Sequence, residues 1–381
     1  MVDIFGTLGP SCDDEEVLAA MFKEGMTGIR INLSHVMLAD CCESIRRIHR
    51  ASEVTGISPK ILIDMQGPEL RIGDLKEPLK LAEGDSLKLA EADRLKLPEP
   101  DRLKLPEPDS LKLTKPDSLT LPKPGSLNLP EPDWLPSVSA GEDSAAPDNT
   151  VPIDPRIARK LSQGQEVLLD DGKILAEVIL IKENVAELKV LRGGILKSRK
   201  SIAIKGLNID DFPALTERDR ENLKDAVSFG ITGVMQPFVR SADDLKEVRK
   251  AAGDKLKIYA KIENMTGVEN LTSFLPYSDE IIIARGDLGN AMPLWELPRT
   301  QKSIAKICRQ HNKPFMVVTQ MLSSMEHSKV PTRAEVSDIY NAVADGASSV
   351  MATGETAVGE YPAEVIRYLA RTAKAALETM R

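Results

Sequence analysis

Eight short apolar runs, each followed by an amphipathic stretch, constrain the fold of this chain more than any other feature. The runs are Asp3–Gly6, Gly28–Ser34, Lys60–Met65, Gly230–Pro237, Lys257–Ile262, Glu280–Gly286, Pro314–Gln320 and Ser348–Thr353. They are mostly apolar and rich in Ile, Val or Met, as strands buried on both faces are. The stretches Asp14–Lys23, Leu38–Ser52, Glu217–Ser228, Ala242–Ala252, Gly267–Phe274, Leu297–Gln310, Thr332–Asp345 and Pro362–Met380 carry helical spacing. Thr216 with Asp219, and Pro362 in a first turn, mark helix starts. Eight strands, each followed by a helix, predict an α/β fold of the (β/α)8 TIM-barrel type, its site at the strands' C-terminal ends.

The alternation breaks after the third run. This assigns residues 1–75 and 206–381 to the barrel and the segment between them to an insertion at the same end. Residues 76–136 hold an octapeptide repeat, with leucine at 79, 87, 95, 103, 111, 119, 127 and 135 and a unit resembling Leu-Lys-Leu-Pro-Glu-Pro-Asp-Ser. Two prolines per unit exclude helix, and Leu-x-Leu is too short for a stable lone strand. A stacked solenoid and an extended polyproline-like linker both fit. Residues 137–205 read as a small β-rich domain, with strands at Val167–Leu169, Ile174–Ile181 and Ala186–Leu191.

Composition narrows the function classes. A net charge of −8, from 50 basic and 58 acidic residues, speaks against general nucleic-acid binding, though not against a local basic pocket. The chain has no apolar run of membrane-spanning length, and MVDIFGTLGP lacks the regions of a signal peptide. Cys12, Cys41, Cys42 and Cys308 show neither metal spacing nor a framework of pairs, so a reduced, cytoplasmic protein is expected.

The chemistry sits at the run ends. Arg30, Asn32 and Ser34 are spaced by two and share one face of the second strand. An arginine facing a barrel interior is expensive without an anion. Asn32, Ser34 and Asp64 offer oxygens to a hard cation. Lys261 and Glu263 share a face at the end of the fifth strand, and Asp287 follows Gly286, which lets backbone approach a ligand closely. Glu263 and Asp287 together suit Mg2+, and Thr319 sits at the rim of the seventh strand.

The stretches GTLGPS, RINLSH, DMQGPELRIG, KIENMTGV, ARGDLG, KPFMVVTQMLSSM, PTRAEVSD and TGETAVGEYP resemble the pyruvate kinase family, in that family's order. The resemblance spans nearly all of 1–75 and 206–381 and, weakly, 165–205. It implies a catalytic barrel with an inserted β lid that converts phosphoenolpyruvate and ADP to pyruvate and ATP in glycolysis. It further implies that Arg30 and Lys261 hold the transferring phosphoryl group, and that Thr319 lies near the enolate carbon. By the same resemblance, Ala284, Arg285, Gly286 and Asp287 run beside the substrate carboxylate, and Glu263 and Asp287 ligate Mg2+ (or Mn2+). Asn32, Ser34, Asp64 and the Met65 carbonyl match a K+ site, with Glu69 as in potassium-dependent members. His35, Arg71, Asp171 and Lys200 resemble nucleotide-side residues.

The sequence departs from the family in several places. The repeat replaces the first half of the lid, and Arg381 is the last residue where most members continue into a C-terminal α/β domain that carries effector binding and a subunit interface. A homo-oligomer is therefore left open. Pro237, Val336, Val358 and Lys205 stand where the family usually has serine, glycine, lysine and proline. Competing readings are a phosphoenolpyruvate/pyruvate-binding barrel lyase or aldolase, and a catalytically impaired paralogue that acts as a binding protein.

Overall fold

The computed structural model describes residues 2–34, 36–91, 149–170, 172–182, 185–205 and 212–379. Eight parallel strands, Asp3–Thr7, Gly28–Asn32, Lys60–Asp64, Gly233–Gln236, Lys257–Ile262, Glu280–Ala284, Phe315–Val318 and Ser349–Met351, close into one barrel. Neighbours along the chain are neighbours in space, and the last strand pairs with the first through Asp3↔Ser349. Short local signals start the surrounding helices. Asp14 accepts the N–H groups of Glu16 and Val17, and Thr216/Asp219 and Thr332/Glu335 each form a capping box.

Six of the eight strands are shorter than the apolar runs that foretold them. The second strand stops at Asn32, so Ser34 lies in the following loop rather than on the strand face. There the Ser34 N–H donates to Asn32 Oδ1 at 3.1 Å, a local turn that competes with further pairing. The sixth strand stops at Ala284, where helix Arg285–Asn290 begins. The expected helix over 38–52 is a 3-10 turn, Leu38–Cys41, running into helix Cys42–Thr55, and 267–274 divides into Met265–Glu269 and Leu271–Phe274.

Alternation along the strands separates two apolar layers. Ile29, Ile31, Ile61, Ile63, Ile258 and Ile262 point outward and are buried against the helices. Phe5, Leu62, Met235, Tyr259, Ile282 and Met316 point inward and plug the barrel. Gly28 makes room for that plug: a Cβ there would lie 2.1 Å from Phe5 Cε1. The inward positions one step beyond Gly28, Leu62 and Tyr259 are Arg30, Asp64 and Lys261, so the same two-residue period that packs the core lifts three charges to its mouth.

The insertion folds as a second unit with its own core. A six-stranded sheet runs in the order Ile202–Ile204, Glu166–Leu169, Ile174–Lys182, Val185–Arg192, Ser86–Glu91, Thr150–Ile153, with a ladder of Leu79–Leu81 and Gly194–Leu196 beside it. The first copies of the octapeptide thus pair in this ladder and this sheet, and Leu87 and Leu89 are fully buried. The remaining copies, the solenoid or linker alternatives and the boundary at 136/137 lie outside the described residues. Cys12, Cys41, Cys42 and Cys308 are all unpaired thiols.

Candidate active site

Arg30 and Lys261 share one carboxylate. Arg30 donates from Nε at 2.9 Å and from Nη2 at 2.7 Å to Asp64 Oδ2, and Lys261 Nζ lies 3.1 Å from the same oxygen. Lys261 Nζ also lies 3.0 Å from Glu263 Oε1. Glu263 Oε2 accepts the Phe238 N–H at 2.9 Å, which ties the end of the fourth strand to that of the fifth. Segments far apart in the chain meet here because each side chain occupies the inward position at the end of its strand.

Burial sets the protonation states. Desolvation would push the Asp64 carboxyl up, but Lys261 and Arg30 outweigh it and hold the group below its ordinary value. Desolvation would likewise lower the Lys261 ammonium, and Asp64 and Glu263 raise it above its ordinary value instead. Nearby, burial raises Glu69 even though Arg71 pulls it down through bonds of 3.1 and 2.7 Å. Lys261 therefore stays charged although it is largely buried.

These groups floor a cleft of about 730 Å3 between barrel and inserted domain. Arg30, Asp64, Lys261, Glu263 and Asp287 line it on one side, and Ala284, Arg285, Gly286 and Thr319 line the next stretch of rim. Leu168, Leu175, Arg192 and Lys205 of the inserted domain face them. Two cations face three carboxylates, so the cluster alone repels a polyanion. Glu263 and Asp287 are hard oxygen donors in the same cleft, a set that suits a divalent cation completed by water and ligand oxygens. Asn32 is paired in register with Asp64, and Met65 follows Asp64 in the chain, so two neighbouring strand ends offer amide, carboxylate and carbonyl oxygens. That set suits a larger monovalent ion.

The other expected residues stand apart from this cluster. Arg71 is held by Glu69 and by the Arg199 carbonyl at 2.8 Å, and Lys200 pairs with Asp170 at 2.8 Å. His35 and Asp171 lie outside the described residues. Reasoning from sequence missed the Phe238 N–H, Asn290 beneath the inserted domain, and Asp338, which lies 2.6 Å from Arg285 Nη1. Phe238 carried one usable signal, since it lies two residues beyond a strand end. The other two gain their partners only through tertiary packing.

A family model of the pyruvate kinase barrel domain matches residues 1–129 and 134–366. The pyruvate kinase of Mycobacterium intracellulare is 33% identical over 96% of this chain and 68% of that protein. That of Chlamydia pneumoniae is 33% identical over 96% of this chain and 66% of its own length, and that of Aeropyrum pernix 32% identical over 100% and 71%. The chain thus spans roughly two thirds of the length of these relatives. Among the described residues no helix is long and apolar enough to cross a membrane. By these matches, and with its charges gathered at the mouth of a closed eight-stranded barrel, the chain belongs to the pyruvate kinase family.

Proposed function

We propose that this chain transfers the phosphoryl group of phosphoenolpyruvate to ADP, giving pyruvate and ATP. The observation that carries the reading is the convergence of Arg30, Lys261, Glu263 and Asp287 on one cleft. Phosphoryl transfer asks the protein mainly to position its reactants and neutralise developing charge. Arg30 and Lys261 bind and orient the transferring group, held at fixed geometry by Asp64. Lys261 also stabilises the negative charge that grows on the enolate oxygen as the phosphoryl group leaves. Glu263 and Asp287 hold Mg2+ (or Mn2+), which when bound supplies the positive charge that offsets the surplus of carboxylates. Asn32, Ser34, Asp64 and the Met65 carbonyl hold K+, with Glu69 behind them. The backbone from Ala284 to Asp287 receives the substrate carboxylate at the start of a helix, and Thr319 serves the enolate carbon.

Arg71 and Lys200, with His35 and Asp171, serve the nucleotide. Closure of the inserted domain over the cleft excludes water. The test is pyruvate formation from phosphoenolpyruvate with ADP and Mg2+, with and without K+. Turnover that needs ADP and rises with K+ supports the reading. Release of pyruvate without ADP would replace it with a hydrolytic or lyase reaction.

A further inference from the structure

Thr319 follows directly on the seventh strand with φ +81°, and Gln320 comes next with φ +53°. A β-branched residue in the left-handed region is strained, costing of order 1–3 kcal/mol, and persists only where its surroundings over-determine it. Those surroundings are specific. Arg285 donates to the Thr319 carbonyl from Nε at 3.1 Å and from Nη2 at 2.6 Å, and Nη2 reaches the Gln320 carbonyl at 3.1 Å. Its third nitrogen, Nη1, lies 2.6 Å from Asp338 Oδ2. The Arg285 side chain is only 11% exposed and is turned away from anion binding by these partners.

Two more contacts fix the same segment. Gly286 approaches Thr319 so closely that a Cβ would lie 3.2 Å from Thr319 Cγ2. Asp338 belongs to helix Arg333–Ala344, whose capping residue Glu335 accepts the Ser324 N–H at 2.8 Å and its hydroxyl at 2.6 Å. The helix therefore reaches this segment twice, directly at Ser324 and through Arg285 at the Thr319 and Gln320 carbonyls.

We propose that Asp338 and Arg285 are positioning residues that hold Thr319 in its left-handed backbone, and with it the hydroxyl that the function above places at the enolate carbon. This rests on the function proposed above. Once the phosphoryl group has passed to ADP, the enolate's terminal carbon gains one proton and its oxygen becomes the ketone of pyruvate. Thr319 hands on its hydroxyl proton and takes one back from solvent. The Arg285 side chain does not touch the substrate in this scheme. Its guanidinium fixes the carbonyl of the residue that does, and Asp338 fixes the guanidinium.

The test compares the full chain with Asp338→Asn, Asp338→Glu and Arg285→Lys. Exchange of pyruvate methyl hydrogens in D2O, with ATP and Mg2+ present, reads the protonation step; steady-state turnover and thermal unfolding are measured alongside. Asp338→Asn and Arg285→Lys should slow methyl exchange about 10- to 100-fold, the scale of a small misplacement of a reacting group. The KM for phosphoenolpyruvate should stay within about twofold of wild type, since uniform binding is untouched. Asp338→Glu should recover most of the exchange. Normal exchange in both weakened variants, or a fall in exchange matched by an equal rise in KM, overturns the proposal. A wild-type chain that forms no pyruvate would instead overturn the functional reading itself, and this one with it.

Discussion

The Lys261 ammonium stands 3.0 Å from Glu263 Oε1, its neighbour two residues along the same strand end. A cation so placed touches both the proposed phosphoryl site and the proposed metal ligand. Lys261→Met keeps most of the side-chain volume and leaves Asp64 its two bonds from Arg30. The fold should therefore survive, while kcat for pyruvate formation drops at least about 10²-fold, as when one preorganised stabilising donor is lost. Circular dichroism and steady-state kinetics on the same preparation check both halves. Near-normal kcat would remove Lys261 from the chemistry.

Asp64 offers a test through pH. Its folded pKa is depressed, because Lys261 and Arg30 overcome the cost of burial. The stability it supplies is thus complete above the unfolded value of 3.8 and drains away as pH falls through the folded value. Asp64→Asn leaves two buried cations without their shared anion, which should cost roughly 3–5 kcal/mol near neutral pH. The gap between wild type and variant in urea midpoints should narrow as pH drops below 3.8. A constant gap across that range would mean that Asp64 is not the linked group.

Much of this was legible in the sequence because one period carries two messages. The two-residue spacing that marks Ile29 and Ile31 as outward core also marks Arg30 as inward, and the same holds for Lys261 between Ala260 and Ile262. The spacing could not say where pairing stops. Ser34 leaves its strand because Asn32 Oδ1 captures its N–H, and Arg285 begins a helix although the apolar run suggests strand through Gly286. The resemblance sets Arg285 beside the substrate carboxylate, and its guanidinium is spent on the Thr319 carbonyl and Asp338. Those partners come from 34 and 53 residues away, and no local pattern encodes them. The first copies of the octapeptide look like the later ones, but only the backbone partners at 185–189 and 194–196 reveal that 79–81 and 86–91 are strands.

At the opposite end of the barrel, Glu280 is buried and accepts the hydroxyls of Ser348, at 2.9 Å, and Ser349. Burial raises its pKa, although both hydroxyls pull it down. A raised carboxyl works in the opposite sense to Asp64. Its contribution is full below the unfolded value of 4.5 and is lost as pH rises through the folded value, where the buried group must ionise. Glu280→Gln keeps the acceptor oxygen and removes the ionisation, so at pH 8 the variant should melt about 2–4 °C higher than wild type. Near pH 4 the two should melt together. A variant that is less stable at pH 8 would show that the carboxylate form is the one the fold prefers. Activity should be unaffected, because the site lies at the other rim.

The inserted domain meets the barrel through Gly172, in the turn between strands Glu166–Leu169 and Ile174–Lys182. Gly172 has φ +79°, and a Cβ there would lie 2.6 Å from Oδ1 of Asn290, the last residue of the helix that carries Asp287. Arg192 donates to the Gly172 and Lys173 carbonyls, so the turn cannot simply swing aside. Gly172→Ala therefore meets two obstacles, a backbone conformation that disfavours any side chain and the tip of the Asn290 side chain, which must turn aside. If closure of this domain completes the nucleotide site, the KM for ADP should rise about fivefold, equivalent to about 1 kcal/mol. The KM for phosphoenolpyruvate, whose proposed contacts lie on the barrel, should change far less. Asn290→Ala removes the colliding oxygen, so Gly172→Ala combined with Asn290→Ala should regain the steric part of the loss and keep the conformational part, a coupling that a double-mutant cycle isolates. Strictly additive effects would show that the two residues do not meet during turnover, and an unchanged KM for ADP in Gly172→Ala would separate nucleotide binding from this contact altogether.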